Sequence, residues 1–157
     1  MDKKIRIAVD AMGGDGSPKK IIDGITDHSK KTKNVQYLIF GDKNIISQYI
    51  PKSLNKDCFV IIDTKDRVEG DDTPLGAAKR GKKTSMWLSI ERVKEKKADI
   101  VISAGNTGAL LVISKLNLKM IEDIDKPALS ALWPNKIGMS VVLDLGANIE
   151  CNEKNLI

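Results

Sequence analysis

The 157-residue sequence has little of several things: two cysteines, one histidine, and two each of tryptophan, tyrosine and phenylalanine. Cys58 and Cys151 lie far apart with no CxxC and no histidine beside them, which excludes a disulfide framework and a cysteine-based zinc site. Trp87 and Trp133 are too few for a nucleic-acid stacking platform. With His28 as the single histidine there is no Ser-His-Asp arrangement and no HExxH. Asp71-Asp72 lacks EF-hand spacing. The longest apolar run, Ala109 to Ile113, falls far short of the ~20 residues that span a bilayer. Charges interleave with the apolar residues of Met1-Asp2-Lys3-Lys4-Ile5-Arg6-Ile7, so a secretory h-region is missing too. The reading is a cytosolic, reduced chain.

What is present is 41% hydrophobic and 30% charged residues with a formal charge of +5, the composition of one folded domain rather than a disordered chain. Lysines outnumber arginines 22 to 4. Arg6, Arg67, Arg80 and Arg92 are a poor supply of the forks that read DNA bases, so no nucleic-acid partner is expected. Part of the charge is a solvated lysine background. The remainder suits encounter with an acidic partner.

Aliphatic runs of strand length alternate with helical stretches, the pattern of a parallel α/β sheet. Strands are expected at Ile5 to Ala11, Tyr37 to Gly41, Phe59 to Asp63 and Asp99 to Ser103. Ser17 as N-cap and Pro18 at the first helical position would open a helix through Ile21, Ile22 and Ile25. A short helix from Lys43 stops before Pro51. Pro74 starts another, and Met86, Ile90 and Val93 mark one buried face of a helix from Ser85. A further helix runs to about Leu116. Ala128 to Trp133 and Met139 to Leu145 read as an antiparallel hairpin around Pro134, Asn135 and Gly138. The whole of 1–157 reads as a single α/β unit that looks cut short, because little follows the last strand to cover it.

Three strand ends collect small and polar residues, and in open α/β sheets ligands bind outside the carboxyl ends of strands. The first is Asp10-Ala11-Met12-Gly13-Gly14-Asp15-Gly16, matching neither GxGxxG nor GxxxxGK[ST]. It reads either as a tight turn or as an anion seat before a helix. The second, Ser103-Ala104-Gly105-Asn106-Thr107-Gly108, suits a cradle for phosphate oxygens, since a helix cap alone accounts for one polar residue and not four in six. The third is Asp144-Leu145-Gly146-Ala147-Asn148, where a carboxylate can hold a cation, orient water or brace the turn. Lys79, Arg80, Lys82 and Lys83 form a basic cluster at a break around Gly81, either a solvated face or a seat for an acidic partner or phosphate. His28, among polar residues late in its helix, reads as exposed. Such a chain would work by positioning and charge stabilisation rather than through a protein nucleophile.

Five segments in order, IRIAVDAMGGDGSP from Ile5, KTSMWL from Lys83, ISAGNTGAL from Ile102, KPAL from Lys126 and LDLGAN from Leu143, closely resemble the PlsX-type phosphate acyltransferase family. The resemblance implies a three-layer α/β/α sandwich with a mostly parallel sheet, like isocitrate dehydrogenase and phosphotransacetylase, here truncated to the N-terminal half. It implies transfer of a fatty acyl group from acyl carrier protein to inorganic phosphate, with no cofactor and no metal. The acyl-phosphate would pass to a membrane glycerol-3-phosphate acyltransferase. Also implied are a cytoplasmic homodimer, or pairing with a complementing C-terminal half, and membrane association through a partner. Asn106, Lys83 and Asp144 take catalytic roles in this reading. Asp10, Gly13, Gly14, Asp15, Ser103, Gly105, Thr107, Gly108, Gly146 and Asn148 bind substrate. The sequence departs from the family at Gly16-Ser17, where many members have His-Ala, and at Lys126, where many have Arg. The alternative is a non-catalytic remnant that binds phosphate or the carrier protein.

Overall fold

The computed structural model describes residues 4–123 and 127–143. Four strands, β1 (Ile5–Asp10), β2 (Val35–Gly41), β3 (Phe59–Asp63) and β4 (Ile100–Ser103), form one sheet in the order β3-β2-β1-β4. Every pairing in it is parallel. Between them run α1 (Lys19–Lys31), α2 (Lys43–Tyr49), α3 (Pro74–Lys79) and α4 (Ser85–Lys94), and α5 (Thr107–Asn117) follows β4. The alternation expected from the sequence is therefore present, with boundaries moved by one or two residues.

The central strands are apolar on both sides because helices cover both faces. Ile7 and Val9 of β1 and Tyr37 and Ile39 of β2 pack with Ile22 and Ile25 of α1 and Ile46 of α2. On the opposite face Ala8 and Phe40 meet Leu88 and Val93 of α4. A third cluster joins α3, α4 and α5 through Ala77, Met86, Ile90, Ala109 and Ile113. Met86 and Ile90 are fully buried, as their helical spacing requires. Among the described residues both sheet edges lack a partner strand: Ile100 and Ile102 of β4 and Val60 of β3 are about half exposed, at 47%, 49% and 48%.

Side-chain caps mark most helix starts. Asp42 accepts from the amides of Asn44 and Ile45, Thr73 from Gly76, Thr84 from Trp87 and Asn106 from Ala109. The start of α1 differs from expectation. Pro18 occupies the cap position and Ser17 does not cap; its hydroxyl donates to the Gly13 carbonyl at 2.5 Å, held there by the glycine loop behind it.

The hairpin forms as the sequence suggests: β5 (Ser130–Asn135) and β6 (Gly138–Leu143) pair antiparallel. Among the described residues they make a two-stranded sheet of their own. Leu132, Met139 and Val141 remain more than half exposed. Asp144, Gly146 and Asn148, the expected third strand end, lie outside the described residues, as do Lys126 and Cys151.

Candidate functional site

The first two glycine loops are brought together by strand adjacency. β1 and β4 are neighbours with Asp10 opposite Ser103, so the loops leaving their carboxyl ends start side by side. Asp10 fastens them. Its carboxylate is 1% exposed and accepts from Ser103 Oγ at 2.7 Å, Ser85 Oγ at 2.6 Å and the Met12 amide at 3.2 Å. Ser103 Oγ in turn accepts from the Gly105 amide at 3.1 Å. One buried carboxylate thus ties β1, β4, the start of α4 and both loops. Its desolvation is offset by three donors, two of them hydroxyls.

The loops touch backbone to backbone. A Cβ on Gly13 would come within 2.9 Å of the Gly105 Cα and 2.7 Å of Asp10 Oδ2, which no real side chain tolerates. Gly14 has φ +86°, and a Cβ there would collide with the Ala104 carbonyl oxygen. Glycine is thus required at both positions, the physical content of the paired glycines noted in the sequence.

Over these loops lies an open cavity of about 690 Å³. Gly14, Asp15, Gly16 and Ser17 line one side, and Ala104, Gly105, Asn106, Thr107 and Gly108 line another. At the second side begins α5, whose first N–H groups have no carbonyl one turn earlier to meet. Aligned peptide dipoles add partial positive charge there, so an oxyanion is favoured. Thr107 is exposed at this mouth and can offer its hydroxyl.

The third wall was not foreseen as part of a site. It is Arg67, Val68, Glu69 and Gly70, from the long connection between β3 and α3. The Asn106 carboxamide holds this wall, Nδ2 donating to the carbonyls of Gly70 at 3.0 Å and Asp72 at 2.9 Å while Oδ1 accepts from the Ala109 amide at 2.9 Å. Arg80 adds a bond from Nη1 to the Arg67 carbonyl at 3.2 Å and pairs with Asp72. The Asn106 side chain is therefore occupied as cap and brace, while the residue itself lines the cavity. The only sequence signal for this wall was an acidic, glycine-containing loop ahead of Pro74. It follows β3, two strands from β1, so nothing local announced its return to the site.

The remaining expected residues sort as follows. Asp10 and Ser103 brace the loops from beneath rather than line the cavity, while Gly14, Asp15, Gly105, Thr107 and Gly108 do line it. Lys83 is exposed at the break between α3 and α4 and is not among the lining residues; its carbonyl accepts from Thr64 Oγ1. His28 is exposed, its Nδ1 2.6 Å from the hydroxyl of buried Tyr37. Burial pushes the Cys58 thiol up, which leaves it a weak nucleophile. Among the described residues no group of three or more His, Cys, Asp or Glu could hold a metal, and no helix is long and apolar enough to cross a membrane.

A parallel open sheet flanked by helices, with a cavity over the carboxyl ends of adjacent strands and a helix start facing into it, defines a doubly covered α/β protein with a strand-end site. Within that class the chain belongs to the family described as "Fatty acid synthesis protein", which matches residues 5–157. It is 73% identical to a phosphate acyltransferase of Pelagibacter ubique across all of this chain and 47% of that protein. A phosphate acyltransferase of Rhodospirillum rubrum is 44% identical and one of Bradyrhizobium diazoefficiens 42%, each over all of this chain and 45% of the relative. The chain spans about half the length of these curated relatives.

Proposed function

We propose that the chain forms the phosphate-binding half of a phosphate acyltransferase that moves a fatty acyl group from acyl carrier protein to inorganic phosphate. The observation that carries this reading is the cavity at the start of α5, lined by two glycine loops and by Asn106, Thr107 and Gly108 at the first turn of the helix. Family membership and the relatives named phosphate acyltransferase support it. In this reading a phosphate oxygen attacks the thioester carbonyl, a C–O bond forms, and the C–S bond breaks. The carrier thiolate leaves with the proton that phosphate gives up. Holding phosphate and thioester together supplies proximity, and the amides and the Thr107 hydroxyl neutralise charge.

Asp10 and Ser103 set the spacing of the two loops, and Gly13, Gly14 and Gly105 allow their contact. Asp15 stands at the rim. Asp144, Gly146 and Asn148 would contribute from the third strand end, and Lys83 would approach only through the acyl donor or an added half. The +5 charge favours encounter with an acidic carrier protein. A membrane acyltransferase consuming the acyl-phosphate, and a homodimer or a complementing half completing the site, belong to the same proposal.

The test is acyl-phosphate formation from an acyl-carrier-protein thioester and phosphate, with the chain alone and mixed with a complementing half. Product in the mixture supports the reading. Absence of product with both parts folded favours a fragment that binds phosphate or carrier protein without catalysis.

A further inference from the structure

The four arginines are each accounted for, and they are not equivalent. Arg6 forks onto Asp99 through Nε at 3.1 Å and Nη2 at 2.9 Å, at the end of β1 remote from the site. Arg92 pairs with Glu95 within the last turn of α4. Arg80 is spent on the wall, bonding Asp72 and the Arg67 carbonyl. Arg67 alone among them lines the cavity, and among the described lining residues it is the only basic one, alongside the acidic Asp15 and Glu69. Its guanidinium is engaged by Glu69 Oε1 at 2.8 Å, with both side chains about half exposed, at 47% and 46%. An exposed pair of this kind is weak and exchanges readily.

The wall that carries Arg67 is better fixed than its side chain. The Asn106 carboxamide binds it at Gly70 and Asp72, Arg80 binds its first residue, and within it the Glu69 amide donates to Asp72 Oδ2 at 2.7 Å. The backbone is thereby held against the cap of α5 while the guanidinium retains an exchangeable partner. Arg67 on one wall and the start of α5 on another put a planar, permanently charged fork and a helix N-terminus around the same cavity, a combination suited to a tetrahedral oxyanion.

We propose that Arg67 is an anion-binding residue of this site: it leaves Glu69 to close on a phosphate held at the start of α5, with Asn106 and Arg80 acting as positioning residues that hold its loop in place. Glu69 is then the built-in competitor, occupying the fork until a dianion replaces it. This rests on the phosphate reading above and adds to it the group that supplies full positive charge.

The test titrates inorganic phosphate into the 157-residue chain, reading affinity by calorimetry and the Arg67 Nε–Hε resonance by NMR. Arg67→Gln should weaken binding about tenfold with an unchanged melting temperature. Arg67→Lys, a point charge in place of a fork, should fall between. Glu69→Gln should tighten binding about threefold, and that gain should vanish in the Arg67→Gln background. In the parent chain the Nε–Hε resonance should move with phosphate. Equal affinity of Arg67→Gln and the parent, or a Glu69→Gln gain that persists without Arg67, overturns the inference and leaves the phosphate site standing. No phosphate binding by the parent chain overturns the site reading and this inference together. Should Arg67→Gln fold poorly, the resonance shift and the Glu69→Gln affinity decide it.

Discussion

Phe40 and Ile39 in β2 are fully buried, whereas Leu132, Trp133 and Val141 in the β5–β6 ribbon are 66%, 62% and 67% exposed. The residue types are alike, so composition does not separate the two regions. What separates them is partnership. β2 has a paired strand on each side and helices over both faces, while β5 and β6, among the described residues, have only each other. A lone two-stranded ribbon is marginal in water, and apolar side chains there contribute little until something covers them. The site is built on the first region, because a cradle of backbone amides is only as well placed as the strands that launch its loops.

The largest effect should therefore come from the buried sheet. Phe40→Ala should cost about 3–5 kcal/mol by denaturant unfolding, and Leu132→Ala no more than about 0.5 kcal/mol. Comparable losses at the two positions would show that the ribbon is as well covered as β2. Next comes the bracing beneath the cavity. Asp10→Ala leaves the Ser85 and Ser103 hydroxyls and the Met12 amide without their acceptor, and should cost about 1–3 kcal/mol together with phosphate binding. Gly14→Ala meets both a left-handed φ and the Ala104 carbonyl, so a further ~1–3 kcal/mol is expected with the same loss of binding. A stable Gly14→Ala chain that binds phosphate normally would show that the loops need not touch.

A smaller effect is expected in acid. The Lys65 ammonium, first through its hydrogen bond and then with help from the Asn44 and Ile45 amides, holds the Asp42 carboxyl below the usual carboxylate range. A carboxyl depressed in the folded state stabilises above its unfolded pKa, and that stability is lost as pH falls through the folded value. Stability should thus fall below about pH 4, and Asp42→Asn should flatten that part of a pH–melting curve. The smallest effect on stability is expected in the ribbon. Leu132→Ser with Val141→Thr should leave the melting temperature nearly unchanged yet reduce binding of a hydrophobic dye.

Much of this was legible from residue patterns. Ile5 to Ala11 and Tyr37 to Gly41 announce buried strands because their apolar residues run nearly without interruption, and Pro74 and Pro51 punctuate helices by lacking an amide donor. The glycine-rich strand ends read as tight turns or anion seats, and the backbone-to-backbone contact of Gly13 and Gly14 with the second loop is what the structure adds. The destination of side chains was not legible. Asn106 reads as part of a phosphate cradle ahead of a plain cap until Gly70 and Asp72 are seen to occupy its Nδ2, and Ser17 reads as a cap until its hydroxyl is found on Gly13. Arg67 escaped notice because its loop reaches the site from an edge strand, and sheet order is not written in local sequence.

If two glycine loops and the start of α5 form one oxyanion cradle, phosphate should bind there. The most direct test is an amide NMR titration of the chain with inorganic phosphate. Saturable shifts are expected, concentrated at Asn106, Thr107 and Gly108 with smaller ones at Gly14 to Gly16. Shifts centred on the Lys79–Lys83 cluster, or none at all, would contradict it.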